Sequence, residues 1–161
     1  MATCTTHNNN KVTDFKLFYT DETDMLDLKI ENGDFVVTGG LETAVDMSIL
    51  IDRRAEPHEV SLPEKRRGWI GDTLKNKRYA RLGSGLWLYN QRRVNAVTRI
   101  GVDNEVRASL SWLLDSGFCS KIEVITEAEG STIFFEASLT STSGGVQKRQ
   151  YRVFNNTKNR L

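Results

Sequence analysis

The last third of the chain alternates apolar and polar residues, and this pattern constrains the fold more than any other feature. Alternation runs through residues 122–127, through 133–139 after Gly130, and through 147–154 after a turn-forming stretch at 141–145. A period of two residues is that of a β-strand, and short turns join antiparallel neighbours. The pattern therefore predicts a C-terminal antiparallel β-meander with one apolar face, which another layer must cover.

Three stretches with helical spacing are available as that layer. Residues 41–54 predict a first helix, which Pro57 is expected to end because the residue before a proline disfavours helical geometry. Residues 86–93 predict the start of a second helix. Residues 98–115 predict a third, with Thr98 as its cap and a glycine just after its end.

An N-terminal hairpin completes the predicted fold. Residues 26–30 alternate with period two, Asn32-Gly33-Asp34 supplies a turn, and 35–38 resumes β character. The fold class is thus α+β: an N-terminal hairpin, about three helices and a C-terminal antiparallel β-meander in one domain. A length of 161 residues suits one domain. We expect 1–13 and 155–161 to be polar tails, the first of them flexible, around a single domain at 14–154.

Charge is distributed unevenly, although the net charge of the whole chain is only +1. Residues 1–51 carry a net −6, residues 52–93 a net +6 and residues 94–161 a net +1. Such a chain either neutralises itself internally or presents opposite charges to different neighbours. Composition alone leaves both interpretations open.

Several kinds of site and location are not expected. The longest apolar runs are far shorter than the roughly 20 residues of a membrane-spanning helix. The first ten residues lack the apolar core of a secretory signal, so we expect synthesis in a cytoplasm and no membrane partner. Two cysteines and two histidines, none at ligand spacing, predict free thiols and neither a metal site nor a cofactor.

Residues 52–59 hold the carboxylates that a glycoside hydrolase would use. Such an enzyme needs two carboxyl groups about 5 to 10 Å apart across a cleft. Asp52 and Glu56 would at best share one helix face, beside Arg53 and Arg54, which would keep both ionised. We therefore expect no enzymatic activity, and lysozyme-like hydrolysis remains an alternative hypothesis.

A basic stretch at 65–81 is the feature that nucleic-acid binding would use. Its cations are interleaved with Trp69 and Tyr79, as in binders of single strands. A solvated loop explains the same residues, and the near-zero net charge favours the loop, so no nucleic acid is expected as a partner. The cations are Lys65, Arg66, Arg67, Lys75, Lys77, Arg78 and Arg81.

The final predicted strand ends the sheet, and an edge strand is a template for another chain's strand. Its charged residues could equally serve to block aggregation, so both interpretations stay open. The strand comprises Gln147, Lys148, Arg149, Gln150, Tyr151, Arg152, Val153 and Phe154.

Five segments in one order resemble the Mu-like phage tail proteins of the baseplate wedge. They are Asp34-Phe-Val-Val-Thr-Gly-Gly-Leu-Glu-Thr-Ala-Val45, Ile51-Asp-Arg-Arg-Ala-Glu-Pro57, Arg67-Gly-Trp-Ile-Gly-Asp72, Gly83-Ser-Gly-Leu-Trp-Leu88 and Ala108-Ser-Leu-Ser-Trp-Leu-Leu-Asp-Ser-Gly117. The resemblance covers about residues 14–140. It also extends to the T-even baseplate wedge component sometimes labelled lysozyme-like.

The resemblance implies a structural virion protein of a contractile tail, located in the tail baseplate in a sixfold arrangement. It implies docking on baseplate wedge core proteins through Arg53, Arg54, Glu56 and Pro57, where the family's Glu-Pro-Arg is here Glu56-Pro57-His58. It also implies that the strand 147–154 initiates the tail sheath by pairing with the sheath protein. Tail tube or hub proteins are further candidate partners.

Overall fold

The computed structural model describes residues 13–20, 25–39, 41–74, 82–90 and 92–154. The chain divides into two compact units, residues 1–46 and 47–161. The single domain expected at 14–154 stays a prediction, and the expected tails lie outside the described residues except for Thr13.

In the part of the chain that the structure describes, six short strands precede the first helix. They are β1 (Thr13–Phe15), β2 (Leu17–Thr20), β3 (Met25–Leu28), β4 (Ile30–Glu31), β5 (Asp34–Phe35) and β6 (Val37–Gly39). The helices are α1 (Glu42–Leu50), α2 (Gly71–Leu74) and α3 (Ala96–Asp115), with 3₁₀ turns at Pro63–Lys65 and Leu86–Leu88. The last strands are β7 (Cys119–Glu129), β8 (Thr132–Ser141) and β9 (Val146–Phe154).

The first unit contains the predicted hairpin, in the form of three antiparallel ladders. Strand β4 pairs with β5 around Asn32 and Gly33, whose φ angles of 53° and 82° are both in the left-handed region. That combination matches the two-residue turn whose twist suits a hairpin. Strand β1 pairs with β6, and β2 pairs with β3.

The three ladders meet at a closed ring of three backbone hydrogen bonds. Lys16 N–H donates to Val36 C=O at 2.7 Å, Val36 N–H donates to Lys29 C=O at 2.9 Å, and Lys29 N–H donates to Lys16 C=O at 2.9 Å. Lys16, Lys29 and Val36 each lie between two consecutive strands that pair with different partners. The ring provides hydrogen-bond partners for their backbone groups. It also divides the predicted 26–30 and 35–38 hairpin between separate ladders.

The second unit packs α3 against the C-terminal meander, whose strand order β7-β8-β9 confirms the sequence prediction. The alternating residues predicted for the inner face of β8 are buried. Burying a Val, Leu or Ile side chain contributes roughly 1.5–3 kcal/mol, so these residues stabilise the packing of the helix on the sheet. The buried residues of α3 are Thr98, Val102, Val106, Leu110 and Leu113.

Helix α3 begins slightly earlier than predicted. Its cap is Asn95, whose side-chain oxygen accepts the Thr98 backbone N–H at 2.8 Å. Thr98, the predicted cap, is instead buried inside the first turn, where its hydroxyl donates to Arg93 C=O. Gly117, with φ of 75°, follows the helix end as predicted.

The prediction of about three helices was partly wrong. Residues 86–88 form one 3₁₀ turn instead of starting a helix: Leu88 N–H donates to Gly85 C=O at 3.0 Å and Tyr89 N–H donates to Leu86 C=O at 2.9 Å. Helix α1 ends at Leu50 rather than Arg54, since the backbone at 51–53 bonds to Ser84. Among the described residues, α1 and α3 are the helices longer than one turn. Neither they nor any other described helix is long and apolar enough to cross a membrane.

Candidate functional site: an arginine clamp and a sheet edge

The predicted docking segment, 53–57, lies in an extended connection beyond α1. Arg53 N–H donates to Ser84 C=O at 2.9 Å, and Ser84 N–H donates to Ile51 C=O at 2.8 Å. A Cβ at Gly83, where φ is 94°, would lie 2.1 Å from the Ile51 carbonyl oxygen. This close approach requires glycine and explains part of the Gly83-Ser84-Gly85 sequence.

Arg53 is held by two carboxylates. Its Nη1 and Nη2 donate to Glu59 Oε2 and Oε1 at 2.8 and 2.7 Å. Its Nε and Nη2 donate to Glu105 Oε2 and Oε1 at 3.2 and 2.8 Å. All three side chains are only 18–19% exposed. We call Arg53, Glu59 and Glu105 the arginine clamp.

The ionisation of the clamp follows from these bonds. Hydrogen bonds from Arg53 are the main reason that the pKa of Glu59 falls to about 2, although partial burial opposes the shift. The same bonds to Glu59 and Glu105 raise the pKa of Arg53 further above its ordinary value. Arg53 and Glu59 are therefore both ionised at neutral pH.

Further bonds fix the backbone around the clamp. Glu56 N–H donates to Glu59 Oε2 at 2.6 Å, and Gly85 N–H donates to Glu105 Oε2 at 2.9 Å. The Trp87 indole N–H donates to Arg53 C=O at 3.1 Å. The three charged side chains thus hold two separate loops as well as one another.

The other predicted docking residues surround the clamp. Arg54 and Glu56 are half-buried, and Arg54 Nη1 donates to Arg67 C=O at 3.3 Å. Ala55 between them is fully buried, and its N–H and C=O bond to Arg66 C=O and Nε at 2.8 and 2.6 Å. Pro57 is exposed at the turn that follows.

Glu59, Glu105 and Gly85 were not among the predicted site residues. Glu59 lies six residues from Arg53 in sequence and Glu105 lies 52 residues away. In the sequence, Glu105 is one charged residue of the predicted third helix, and Glu59 is another just after Pro57. Charged residues in such places are too common for the sequence to identify either of them as part of a site. Gly85 contacts the clamp through its backbone N–H, which no sequence pattern reveals.

Of the predicted basic residues that the structure describes, Arg66 and Arg67 have hydrogen-bond partners within the protein. Arg67 donates to Asp52 Oδ2 at 2.7 Å and its guanidinium lies 4.6 Å from the centre of the Trp87 ring. Arg66 donates to Ala55 C=O. Lys65 is exposed. Lys75, Lys77, Arg78 and Arg81 lie outside the described residues.

The carboxylates of the glycosidase alternative are not arranged as a pair on one helix face. Asp52 forms its ion pair with Arg67, and Glu56 follows in the extended segment. The low pKa of Glu59 is the opposite of what a general acid needs, which is a raised pKa. The described residues also contain no group of three potential metal ligands among His, Cys, Asp and Glu.

Strand β9 forms one edge of the meander, and its backbone orientation follows from the turn before it. Ser141 N–H donates to Gly145 C=O at 2.8 Å, so Ser141 points toward β9. Because backbone groups alternate in direction along a strand, residues 147, 149, 151 and 153 of β9 point back to β8. The N–H and C=O groups of the even-numbered residues from 146 to 154 point away from the sheet.

The side chains of β9 differ between its two faces. Tyr151 stacks on Phe135 on the inner face, with ring centroids 5.2 Å apart, and Val153 is buried. On the outer face, Lys148 and Gln150 donate to the two oxygens of Glu136 at 3.0 and 2.9 Å. The edge strand is thus anchored on both faces to β8.

A sequence model of the family described as "Phage protein GP46" matches residues 41–146, which is more than half of the 161 residues. The chain belongs to the phage protein GP46 family. It is also 28% identical over 130 residues to "Baseplate protein gp46" of Escherichia phage Mu, covering 78% of this chain and 87% of that protein. These findings confirm the predicted resemblance to Mu-like phage tail proteins.

The matched span of this GP46-family protein runs from the start of α1 to the first residue of β9. It contains the whole arginine clamp and α3. Most of β9 lies beyond it, so the sheath-pairing prediction for 147–154 draws its support from the sheet geometry rather than from the family match.

Proposed function

We propose that this GP46-family protein is a structural component of a phage tail baseplate and acts by binding other tail proteins. The observation that carries the proposal is the similarity to a phage Mu protein named as a baseplate protein, over most of both chains. The protein is made in the host cytoplasm and becomes part of the virion tail. It catalyses no reaction, and hydrolysis of peptidoglycan by the purified protein would overturn that part of the proposal.

The more specific proposal is that residues 53–57 dock on wedge core proteins. The arginine clamp supports it, because a docking segment that is already ordered loses less conformational entropy on binding. The guanidinium of Arg53 is bound by Glu59 and Glu105, so Arg53 positions the docking segment and does not contact the partner. Arg54, Glu56 and the exposed Pro57 are then the residues that meet the partner.

The docking proposal is tested by the double substitution Arg54→Ala with Glu56→Ala. We expect a folded protein and a loss of tail assembly in complementation of a phage that lacks the gene. The control removes an equal pair of charges at Lys29 and Glu31, an exposed ion pair of the N-terminal unit. Intact tails from the Arg54 and Glu56 variant would contradict docking through this segment.

We further propose that β9 initiates the sheath by pairing with a strand of the sheath protein. Its outward-pointing backbone groups from 146 to 154 suit strand addition, in which main-chain hydrogen bonds supply the affinity. Six copies surround the tail axis, and tail tube or hub proteins are additional neighbours.

The sheath proposal is tested by comparing Gln150→Pro with Gln150→Ala. Both lose the side-chain bond to Glu136, but only proline removes the outward-pointing N–H of residue 150. We expect baseplates without sheath from the proline variant and normal sheaths from the alanine variant. Normal sheath length in both variants would refute pairing at β9.

A further inference from the structure

The meander has a second edge, formed by β7. Residues 121, 123, 125, 127 and 129 pair with the even-numbered residues of β8, which point away from β9. The N–H and C=O groups of Ile122, Val124, Thr126 and Ala128 therefore point outward from this edge. An eleven-residue edge strand with that orientation is a second potential site for strand addition.

A side chain from α3 covers the middle of this edge. Arg107 Nη2 donates to Val124 C=O at 3.0 Å. The guanidinium is oriented by Asp103 one turn earlier, whose Oδ2 accepts from Arg107 Nε at 2.7 Å. An incoming strand would have to donate a hydrogen bond to the Val124 carbonyl. The Arg107 side chain occupies the space in which that strand would lie.

We propose that Arg107 is a specificity-determining residue that closes the β7 edge, so that an added strand pairs with β9. The inference rests on the proposed strand pairing at β9, for which it supplies the reason that one edge is used and the other is not. Arg107 is 45% exposed and lies in a helix that already covers the inner face of the sheet. It is therefore placed to block the edge without filling the core.

Opening the β7 edge would first permit pairing with a second copy of the same strand. In an antiparallel arrangement centred on Val124, Lys121 of one copy would lie opposite Glu127 of the other. Opposite charges across such a pair are favourable, and no like charges among 121–127 would face each other. Self-association is thus a direct measure of whether the edge has been opened.

The first experiment compares Arg107→Ala with Arg99→Ala, which removes another exposed arginine of the same helix. Sedimentation velocity is run on the full chain over a range of concentrations. We expect the Arg107 variant to dimerise about tenfold more tightly than wild type, and the Arg99 variant to behave as wild type. In the dimer, amide exchange at Val124 and Thr126 should slow.

A second variant distinguishes closure of the β7 edge by Arg107 from a contact that only stabilises the fold. Thr126→Pro removes an outward-pointing N–H of β7 without removing a bond to β8. Combined with Arg107→Ala, it should restore the monomer. A structural role for Arg107 predicts lower stability with no dimer and no slowing of exchange, and that result would overturn the proposal even if the proline variant folds poorly.

These outcomes are independent of the sheath test. Normal sheaths from Gln150→Pro would refute pairing at β9. The self-association of the Arg107→Ala variant would still show whether Arg107 closes the β7 edge. A monomeric Arg107→Ala variant with unchanged amide exchange would refute edge closure, whatever the sheath test shows.

Discussion

Arg53 connects two parts of the chain that are remote in sequence. It brings Glu59 from the turn after Pro57 and Glu105 from α3 to one guanidinium. Removing one partner of a partly buried charge cluster leaves the others without compensation, so substitution of Arg53 would destabilise the protein itself. Alanine at Arg53 therefore cannot serve as a clean test of docking, which is why the test above uses Arg54 and Glu56.

The clamp predicts a specific dependence of stability on acid pH. The pKa of Glu59 is 4.5 in its ordinary state and about 2 in the folded protein. A lowered pKa means that its contribution is fully present above about pH 4.5 and is lost as the pH falls through 2. We expect a loss of about 2–3 kcal/mol over that window.

Urea unfolding of wild type and Glu59→Gln at several pH values between 7 and 2 measures this contribution. The free-energy difference between the two proteins should shrink as the pH falls below 4.5. A difference that stays constant down to pH 2 would show that the carboxylate of Glu59 is not held by Arg53.

A single methyl group at Gly85 should disturb the same clamp. A Cβ there would lie 2.6 Å from Glu105 Oε2 and 2.7 Å from Arg53 Nη2. We expect Gly85→Ala to lower the free energy of unfolding by about 1–3 kcal/mol, as overpacking does elsewhere. Gly145→Ala is the matched control, because no atom lies within 4 Å of its added Cβ.

Thermal unfolding of the two glycine variants provides the measurement. The melting temperature of Gly145→Ala should remain close to that of wild type. Equal melting temperatures for both variants would contradict the close packing of the clamp against Gly85.

At the scale of elements, α3 contains a glycine for a packing reason. Helix propensity alone favours alanine over glycine by about 1 kcal/mol. A Cβ at Gly101, however, would lie 2.5 Å from Cε1 of the Tyr89 ring. The glycine therefore permits the tyrosine of the preceding loop to lie against the helix.

This contact predicts that the effect of Gly101→Ala on stability changes sign when the Tyr89 ring is removed. Gly101→Ala should destabilise the wild type, because the ring must move. In a Tyr89→Ala background the same substitution should stabilise by about 1 kcal/mol, since only helix propensity then acts. Chemical unfolding of the four proteins in this double-mutant cycle measures the coupling, and additive effects would contradict it.

The two outer strands of the meander have similar sequence patterns but different side chains at their edges. Both β7 and β9 present outward-pointing backbone groups. Arg107 occupies the carbonyl of Val124 on β7, whereas Lys148 and Gln150 anchor β9 to Glu136 on the sheet face. The distinction between the edges depends on α3, which covers the sheet from a different part of the sequence.

For the whole molecule, the uneven charge distribution can be compared with the bonds of the basic middle segment. Three arginines of the basic middle segment form side-chain hydrogen bonds within the second unit, residues 47–161. They are Arg53, Arg66 and Arg67. Arg53 and Arg67 pair with carboxylates at positions 52, 59 and 105, and Arg66 bonds to a neutral carbonyl, so these bonds do not join the basic segment to the acidic residues 1–51. The +1 net charge of the whole chain conceals this arrangement.

The proposed place in a sixfold baseplate predicts the copy number in the particle. Quantitative mass spectrometry of purified tails should find six copies, or a multiple of six, for each tail. The baseplate proteins that accompany it in the same sample calibrate the count. Absence from intact tails would contradict a structural role in the virion.

The sequence by itself determined the features that depend on neighbouring residues. The Asn32-Gly33 turn, the glycine after α3 and the three alternating strands follow from local backbone preferences and from the periods of helix and strand. The family resemblance was likewise carried by short segments of sequence. These predictions needed no knowledge of what packs against each element.

Only the tertiary structure decided where α1 ends and which side chains complete the clamp. In each case a local preference competes with bonds to residues far along the chain, such as Ser84 with 51–53 or Glu105 with Arg53. The same is true of Arg107 and Val124. Periodicity records which face of an element is apolar, but the partner of a polar group depends on how distant segments come together.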